Sequence, residues 1–359
     1  MEPRSPSPRL AWLMACCALS WGCTGMPAAD ELTATRAIPS GPSEYGPGRD
    51  GRARFRELFC SVARDHGVLT DGDPDCRALL WRMEDEGVPD GSGLPLPAPD
   101  PDLRWFVVTG ALGDCFGEAS LPFSGGIARL RGRGADIRVA RVSGRSGTEH
   151  NARQLAAAIE AADLRPDDRI GLVGYSKGAV DILRFLTDFP DLAAQVVVVA
   201  SVAGPILGSP LADLGEWTYA NLLSGAFEER CEPGDGGDEA GHDPERRRQW
   251  LLDHSLPSHV RYLSLAAFTT REHLARGLVP TWEILANTDT RNDGQVLIGD
   301  AVIPGSDLLG YANADHWGIA LTIEEALPHL AARPDPAPFP RDALLEALFL
   351  YAAEALAEP

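Results

Sequence analysis

The stretch "IGLVGYSKGAVDIL", residues 170 to 183, sets Ser176 between two glycines, each two positions away. An apolar β-rich run precedes the serine and a run with helical spacing follows it. A sharp strand-to-helix turn forces its central residue into strained backbone geometry, and glycines on either side let neighbouring backbone pass without a Cβ clash. The hydroxyl is then held out at the carboxyl edge of a sheet, where the N–H groups of the following helix start face any oxyanion that develops. A serine hydroxyl is a poor nucleophile near neutral pH, so this chemistry needs a base and a group to orient that base. His316 in "YANADHWGIAL" is the best placed of the eight histidines: it follows the strand candidates and precedes the helical "IEEALPHL", whereas His254, His259 and His273 fall in a segment with helical spacing. For the acid, "NTDTRNDGQV" offers Asp293, with Asp289 as the next choice and Asp300 as the third.

These residues need a scaffold. From residue 104 short β-rich runs alternate with helical ones. The strand candidates are "RWFVVT" (104–109), "DIRVARV" (136–142), "RIGLVGY" (169–175), "AQVVVVASVAG" (194–204) and "TWEILANT" (281–288). Strands this apolar, separated by helical runs such as "NARQLAAAIEAAD" and "KGAVDILRFLTDFP", predict an α/β fold with a mostly parallel sheet flanked by helices. The C-terminal "RDALLEALFLYAAEALAE" reads as an amphipathic helix packed on that sheet. Between Pro205 and Thr281 lie about 75 residues, far more than a crossover needs, so an insertion at about 206–280 is expected. Its segments "LADLGEWTYANLLSGAFEERC" and "RRRQWLLDHSLPSHVRYLSLAAF" carry large apolar residues at roughly helical spacing, which predicts a helical lid over the serine.

The formal charge of −20 argues against nucleic acid and anionic lipid headgroups as partners. Residues 1–23 read as an export segment, with Arg4 and Arg9 ahead of the apolar run "LAWLMACCALSW". Gly22-Cys23 resembles a bacterial lipoprotein box, which implies membrane attachment through a lipidated Cys23; Ser20 stands where leucine is usual, and secretion without a lipid is the alternative. Residues 24–50 read as a flexible tether and 51–103 as a helical extension, in which "RFRELFCSVARDHG" and "DCRALLWRMEDEG" are the helical segments. Past Cys23 there remain Cys60, Cys76, Cys115 and Cys231, an even number in an exported chain. They allow three pairings, of which Cys60–Cys76 with Cys115–Cys231 joins the nearest neighbours. No cysteine or histidine spacing suggests a metal site.

The chain from about 104 to 320 resembles an α/β-hydrolase of the bacterial lipase and esterase kind. The order Ser176, Asp293, His316 is that family's order of nucleophile, acid and base. "VVTGALGDC" resembles the lipase oxyanion loop, with Thr109 where the family commonly has histidine, and the resemblance implies an oxyanion hole made by the main-chain N–H groups of Ala111 and Lys177. "SVAGPILGSPLAD" resembles the segment leading into the lid, "NDGQV" the acid loop and "ADHWG" the histidine loop. The implied activity on 104–359 is hydrolysis of lipidic or small carboxylic esters through an acyl-enzyme, with no cofactor. A transacylase would use the same three residues, and a non-catalytic surface lipoprotein on this scaffold would be expected to have lost some of them. Lipases of this kind often hold calcium near the histidine loop; Asp300, Asp307 and Asp315 could supply oxygens, but their spacing does not demand an ion, and no metal is expected. The Lys177 and Asp181 side chains read as non-catalytic, Asp181 as a carboxylate suited to the start of a helix, and Asp315 as a solvated or loop-fixing residue.

Overall fold

The computed structural model describes residues 48–69, 76–88, 100, 102–111, 113–115, 117–214, 234–235, 237, 242–334 and 339–358. The expected export segment, most of the tether, Cys231 and the middle of the expected lid lie outside the described residues.

Seven strands among them form one sheet in the order β1-β7-β6-β5-β4-β2-β3. Strands β2 (Leu103–Val108), β3 (Asp136–Ala140), β4 (Arg169–Tyr175), β5 (Val196–Val202), β6 (Arg261–Phe268) and β7 (Asp307–Asn313) run parallel. Only β1 (Leu80–Trp81) is antiparallel, against Tyr311 and Ala312 of β7. Alternate residues serve opposite faces: Val173 and Tyr175 of β4 join one core, Ile170 and Leu172 the other. The first core is covered by α1 (Arg52–Asp65), α2 (Ser124–Gly132) and α7 (Arg341–Ala357). The second is covered by α3 (Thr148–Glu160) and α4 (Lys177–Asp188). This is the expected α/β-hydrolase fold.

Four expectations need correction. "TWEILANT" is not a strand: Val279–Leu285 forms a short helix, α6, with Pro280 in its first turn and Trp282 and Leu285 buried at i, i+3 spacing. The strand that serves this part of the sheet is "RYLSLAAF", β6, which was assigned to the helical insertion. Its last six residues are all buried, so both faces are apolar and no period of two survives. The interval 206–280 is therefore not a single insertion; extra chain lies between β5 and β6 and includes α5 (Pro244–Asp253). Among the described residues of the N-terminal extension, the first of the two expected helical segments forms a helix and the second does not. "DCRALLWRMEDEG" instead makes a turn and β1, because Leu80 and Trp81 are buried against β7 and Arg56 of α1 donates to their carbonyl oxygens at 3.0 and 2.9 Å. Finally, α7 is buried on every side over residues 343–348 rather than on one face, as befits a helix enclosed by α1, α2 and the sheet; its one charged residue there, Glu346, faces His66 and Arg129.

The end of the expected tether is also fixed. Leu308 of β7 donates from its N–H to Arg49 O at 3.0 Å, and its carbonyl accepts from Gly51 at 2.9 Å. Cys60 and Cys76 form the expected disulfide, which ties α1 to the turn before β1. Cys115 is also disulfide-bonded; its expected partner, Cys231, lies outside the described residues.

Candidate active site

Ser176 caps α4 with φ 53° and ψ −131°, a left-handed conformation that a non-glycine residue adopts only where the surroundings hold it there. The glycines around it are explained by close approach. A Cβ at Gly178 would stand 2.6 Å from the carbonyl oxygens of Val108 and Thr109 at the end of β2, and one at Gly174 would run into the backbone of Ala179. The helix can turn back this tightly over its own strand only if both positions lack side chains.

The acid loop reaches the same edge indirectly. After β6, Thr269 donates from its N–H to Asn292 O at 3.3 Å, so the chain returns to the strand end after passing through α6. Asp293 is fully buried. Its Oδ1 accepts from the N–H groups of Gln295 at 2.8 Å and Val296 at 2.7 Å, which leaves Oδ2 for the Nδ1 of His316 at 2.7 Å. The Nε2 of His316 lies 2.8 Å from Ser176 Oγ. The histidine is fixed through its backbone as well: its N–H donates to Asp293 O at 2.8 Å and its carbonyl accepts from the Tyr175 hydroxyl at 2.6 Å. Serine, histidine and aspartate thus form one continuous hydrogen-bonded line.

The other acid candidates lie elsewhere in the hydrogen-bond network. Asp289 binds Arg291 at 2.7 Å. Asp300 faces Arg248 at 3.2 Å, and burial, only partly offset by that arginine, pushes its carboxyl up to about 6. Asp307 pairs with Arg261 at 2.6 Å and accepts from the Tyr351 hydroxyl, while Asp315 pairs with Arg333 at 2.8 Å. The three aspartates considered for calcium are each bound to a different arginine, and no group of three or more acidic, histidine or cysteine side chains converges on a metal position among the described residues. They do not fit the ion.

The loop after β2 lies against the serine: a Cβ at Gly110 would sit 3.0 Å from Ser176 Cβ. Thr109, in the place of the family's usual histidine, is fully buried, and its Oγ1 accepts from Val142 N–H at 3.1 Å, tying the ends of β2 and β3 together. Lys177 offers its backbone at the first position of α4. Its side chain turns inward, with Nζ 3.0 and 3.1 Å from the two carboxylate oxygens of Asp181, and both side chains are essentially unexposed. Asp181, expected as a carboxylate suited to the start of a helix, is half of a buried ion pair, completed by Asn151 Nδ2 at 2.8 Å. Asp315 is loop-fixing: it accepts from the N–H groups of Ala275 at 2.7 Å and Gly318 at 2.6 Å as well as from Arg333. Tyr175 and Arg333 were not singled out from the sequence. The first is visible only as the residue between Gly174 and Ser176 in the motif, and the second carries no sequence signal.

A mostly parallel sheet with a strained serine between strand and helix, and with histidine and acid on later loops at the same edge, defines the α/β-hydrolase class. No protein-family model and no curated protein sequence matches the chain. Among solved structures, it is similar to a metagenomic carboxyl esterase at 37% identity and a TM-score of 0.77, over 92% of this chain and 100% of the other. It is also similar in fold to the mature form of a Bacillus licheniformis lipase, at 20% identity and a TM-score of 0.51, over 67% and 97% of the two chains. The chain belongs to the α/β-hydrolases of the bacterial esterase and lipase type.

Proposed function

We propose that this protein hydrolyses carboxylic esters with Ser176 as nucleophile, and the observation that carries the reading is the line from Ser176 Oγ through His316 to Asp293. His316 Nε2 takes the hydroxyl proton as Oγ bonds to the acyl carbon, and the carbonyl electron pair moves onto oxygen. The N–H groups of Ala111 and Lys177 receive that oxyanion. Collapse expels the alkoxide, which leaves with the proton from His316. Water, deprotonated by the same nitrogen, then attacks the acyl-enzyme and releases the acid. Asp293, desolvated and held by two backbone N–H groups, keeps Nδ1–H facing itself, so that Nε2 is the free base, and stabilises the imidazolium that forms.

The substrate class assigned is a neutral ester, lipidic or small. The activity named for the metagenomic relative and the −20 charge support it, since anionic headgroups would be repelled. Ser176 is 6% exposed and His316 2%, which supports a cover that must open for substrate. We assign that role to the chain between β5 and β6. Export, with or without a lipid on Cys23, is part of the same reading and is supported by the Cys60–Cys76 disulfide.

Labelling by a fluorophosphonate and hydrolysis of p-nitrophenyl esters from acetate to palmitate test the proposal. Stoichiometric labelling lost in Ser176→Ala, and a fall in kcat of roughly 10⁴-fold or more in Ser176→Ala and His316→Ala, are expected. Asp293→Asn should also lose activity heavily, and Asp289→Asn should not. Folded protein that neither labels nor hydrolyses any ester of the series would refute the assignment.

A further inference from the structure

Behind the histidine loop lies a cavity of about 420 Å³, within the size range of small-molecule sites. Val279, Pro280, Ala332 and Pro334 supply much of an apolar wall, while Arg271, Arg276 and Arg333 stand around it. Three guanidinium groups about one cavity run against the composition of a chain with 52 acidic and 32 basic residues. Two of them have acidic partners: Arg333 is held by both oxygens of Asp315, at 2.8 and 2.9 Å, and Arg271 donates to Glu283 at 3.1 Å. Arg276 is exposed and makes no ion pair among the described residues. Its backbone is nevertheless anchored, since its N–H donates to Ala332 O at 2.9 Å.

An apolar cavity with an unmatched guanidinium at its rim suits an anion that carries an apolar body. A carboxylate accepts two parallel hydrogen bonds from a guanidinium, and an alkyl chain gains by leaving water for the apolar wall. We propose that this cavity is a binding site for a medium-chain aliphatic carboxylate, its head on Arg276 and its tail against Val279, Pro280 and Pro334. The site lies outside the Ser176 line but touches what supports it. Arg333 is bound by Asp315, the residue before His316, and Asp315 also accepts from Ala275 N–H. A Cβ at Gly277 would stand 2.7 Å from the ring of Trp317, the residue after His316. A carboxylate seated here therefore acts on the support of the histidine loop. If the ester hydrolysis proposed above holds, the released acid is itself a ligand of the right class, and it should change kcat without competing with substrate.

Calorimetric titration with decanoate, and with 1-decanol as the neutral counterpart, tests the site without reference to catalysis. Wild type should bind one decanoate per chain, and 1-decanol at least tenfold more weakly. Arg276→Gln, at an exposed position that the fold does not need, and Val279→Trp, which fills the cavity, should each weaken decanoate at least tenfold, while Ser176→Ala should bind as wild type does. Decanoate binding unchanged by Arg276→Gln, binding matched by 1-decanol, or binding lost in Ser176→Ala would each overturn the proposal. Loss of the esterase reading alone would appear as absent hydrolysis with Arg276-dependent binding intact.

Discussion

Replacing Asp181 by asparagine should destabilise this protein strongly. The carboxylate is fully buried and neutralises Lys177 Nζ at 3.0 Å, with Asn151 donating to its second oxygen. A second buried cation depends on it. Arg247, 3% exposed, donates from Nε to Ile206 O at 3.2 Å and lies 4.7 Å from the Trp250 ring centre, but its Nη2 finds no hydrogen-bond partner. Burial lowers the Arg247 guanidinium to about 10 and Asp181 works against that fall. Removing one charge thus takes the hydrogen-bonded carboxylate away from Lys177 and removes the charge that opposes the fall at Arg247. Breaking a buried pair costs about 3–5 kcal/mol, and the second dependent cation places this case at about 4–5. With a urea slope of about 3 kcal/mol/M, the unfolding midpoint should fall by roughly 1.5 M. The double variant Lys177→Met/Asp181→Leu should recover most of the loss, because neither charge then needs burying, and the remainder reports the share carried by Arg247. Urea titration followed by tryptophan fluorescence measures all three proteins. An Asp181→Asn midpoint within about 0.3 M of wild type, under 1 kcal/mol on the same slope, would refute the picture of a dry ion pair behind the serine turn.

Three further outcomes are expected. Gly178→Ala should shift the start of α4 away from β2, because its Cβ would approach two carbonyl oxygens to 2.6 Å; a displacement of this size can cost about 10²-fold in kcat, and unchanged turnover would show that the turn has slack. Opening Cys60–Cys76, whose cysteines are 16 positions apart, by Cys60→Ala/Cys76→Ala should cost about 3 kcal/mol of unfolding free energy, and an unchanged midpoint would mean that the turn before β1 is held by packing alone. Asp300 titrates at about 6 in the fold against 3.8 when free, so the native state holds the extra proton between those values. Its contribution is complete below about pH 4 and is lost as pH rises through 6, by roughly 3 kcal/mol. Asp300→Asn should therefore be more stable than wild type at pH 7 and should lack that fall, as urea midpoints at pH 4 and pH 7 would show.

The serine was legible because its constraints are local. Gly174 and Gly178 are required by backbone atoms of α4 and β2 that lie within a few residues of the turn or on the adjacent strand, so the motif and its flanking periodicities carry the geometry. His316 and Asp293 were legible for a weaker reason: they stand on loops in the chain order that the class uses. Asp293 was chosen from a wrong premise, since the run before it is α6 and the strand at this edge, β6, ends at Phe268. The acid loop still reaches the sheet edge because Thr269 binds Asn292 and the Thr269 hydroxyl binds Asn313 at the end of β7, pairings 23 and 44 residues apart that no periodicity encodes.

The errors share a cause with the features that were missed. Strand β6 is buried on both faces, α7 on all sides, and β1 is only two residues long, so in each case tertiary burial erased the alternation by which an isolated element is recognised. Arg333 and Asp315 sit 18 positions apart in segments with no regular pattern, yet their contact, with the Tyr175 hydroxyl on the His316 carbonyl, fixes the loop that carries the histidine. Sequence patterns identify residues whose type the backbone dictates locally. Those whose type is dictated by a distant partner, as Asp181 is by Asn151 and Asp315 by Arg333, become intelligible only when the fold brings the partners together. The same division predicts where substitutions should be tolerated. A change at Arg333 that preserves charge but not the two-pronged contact, such as Arg333→Lys, removes a support of His316 without touching Ser176 or Asp293, and its effect should fall on kcat more than on KM.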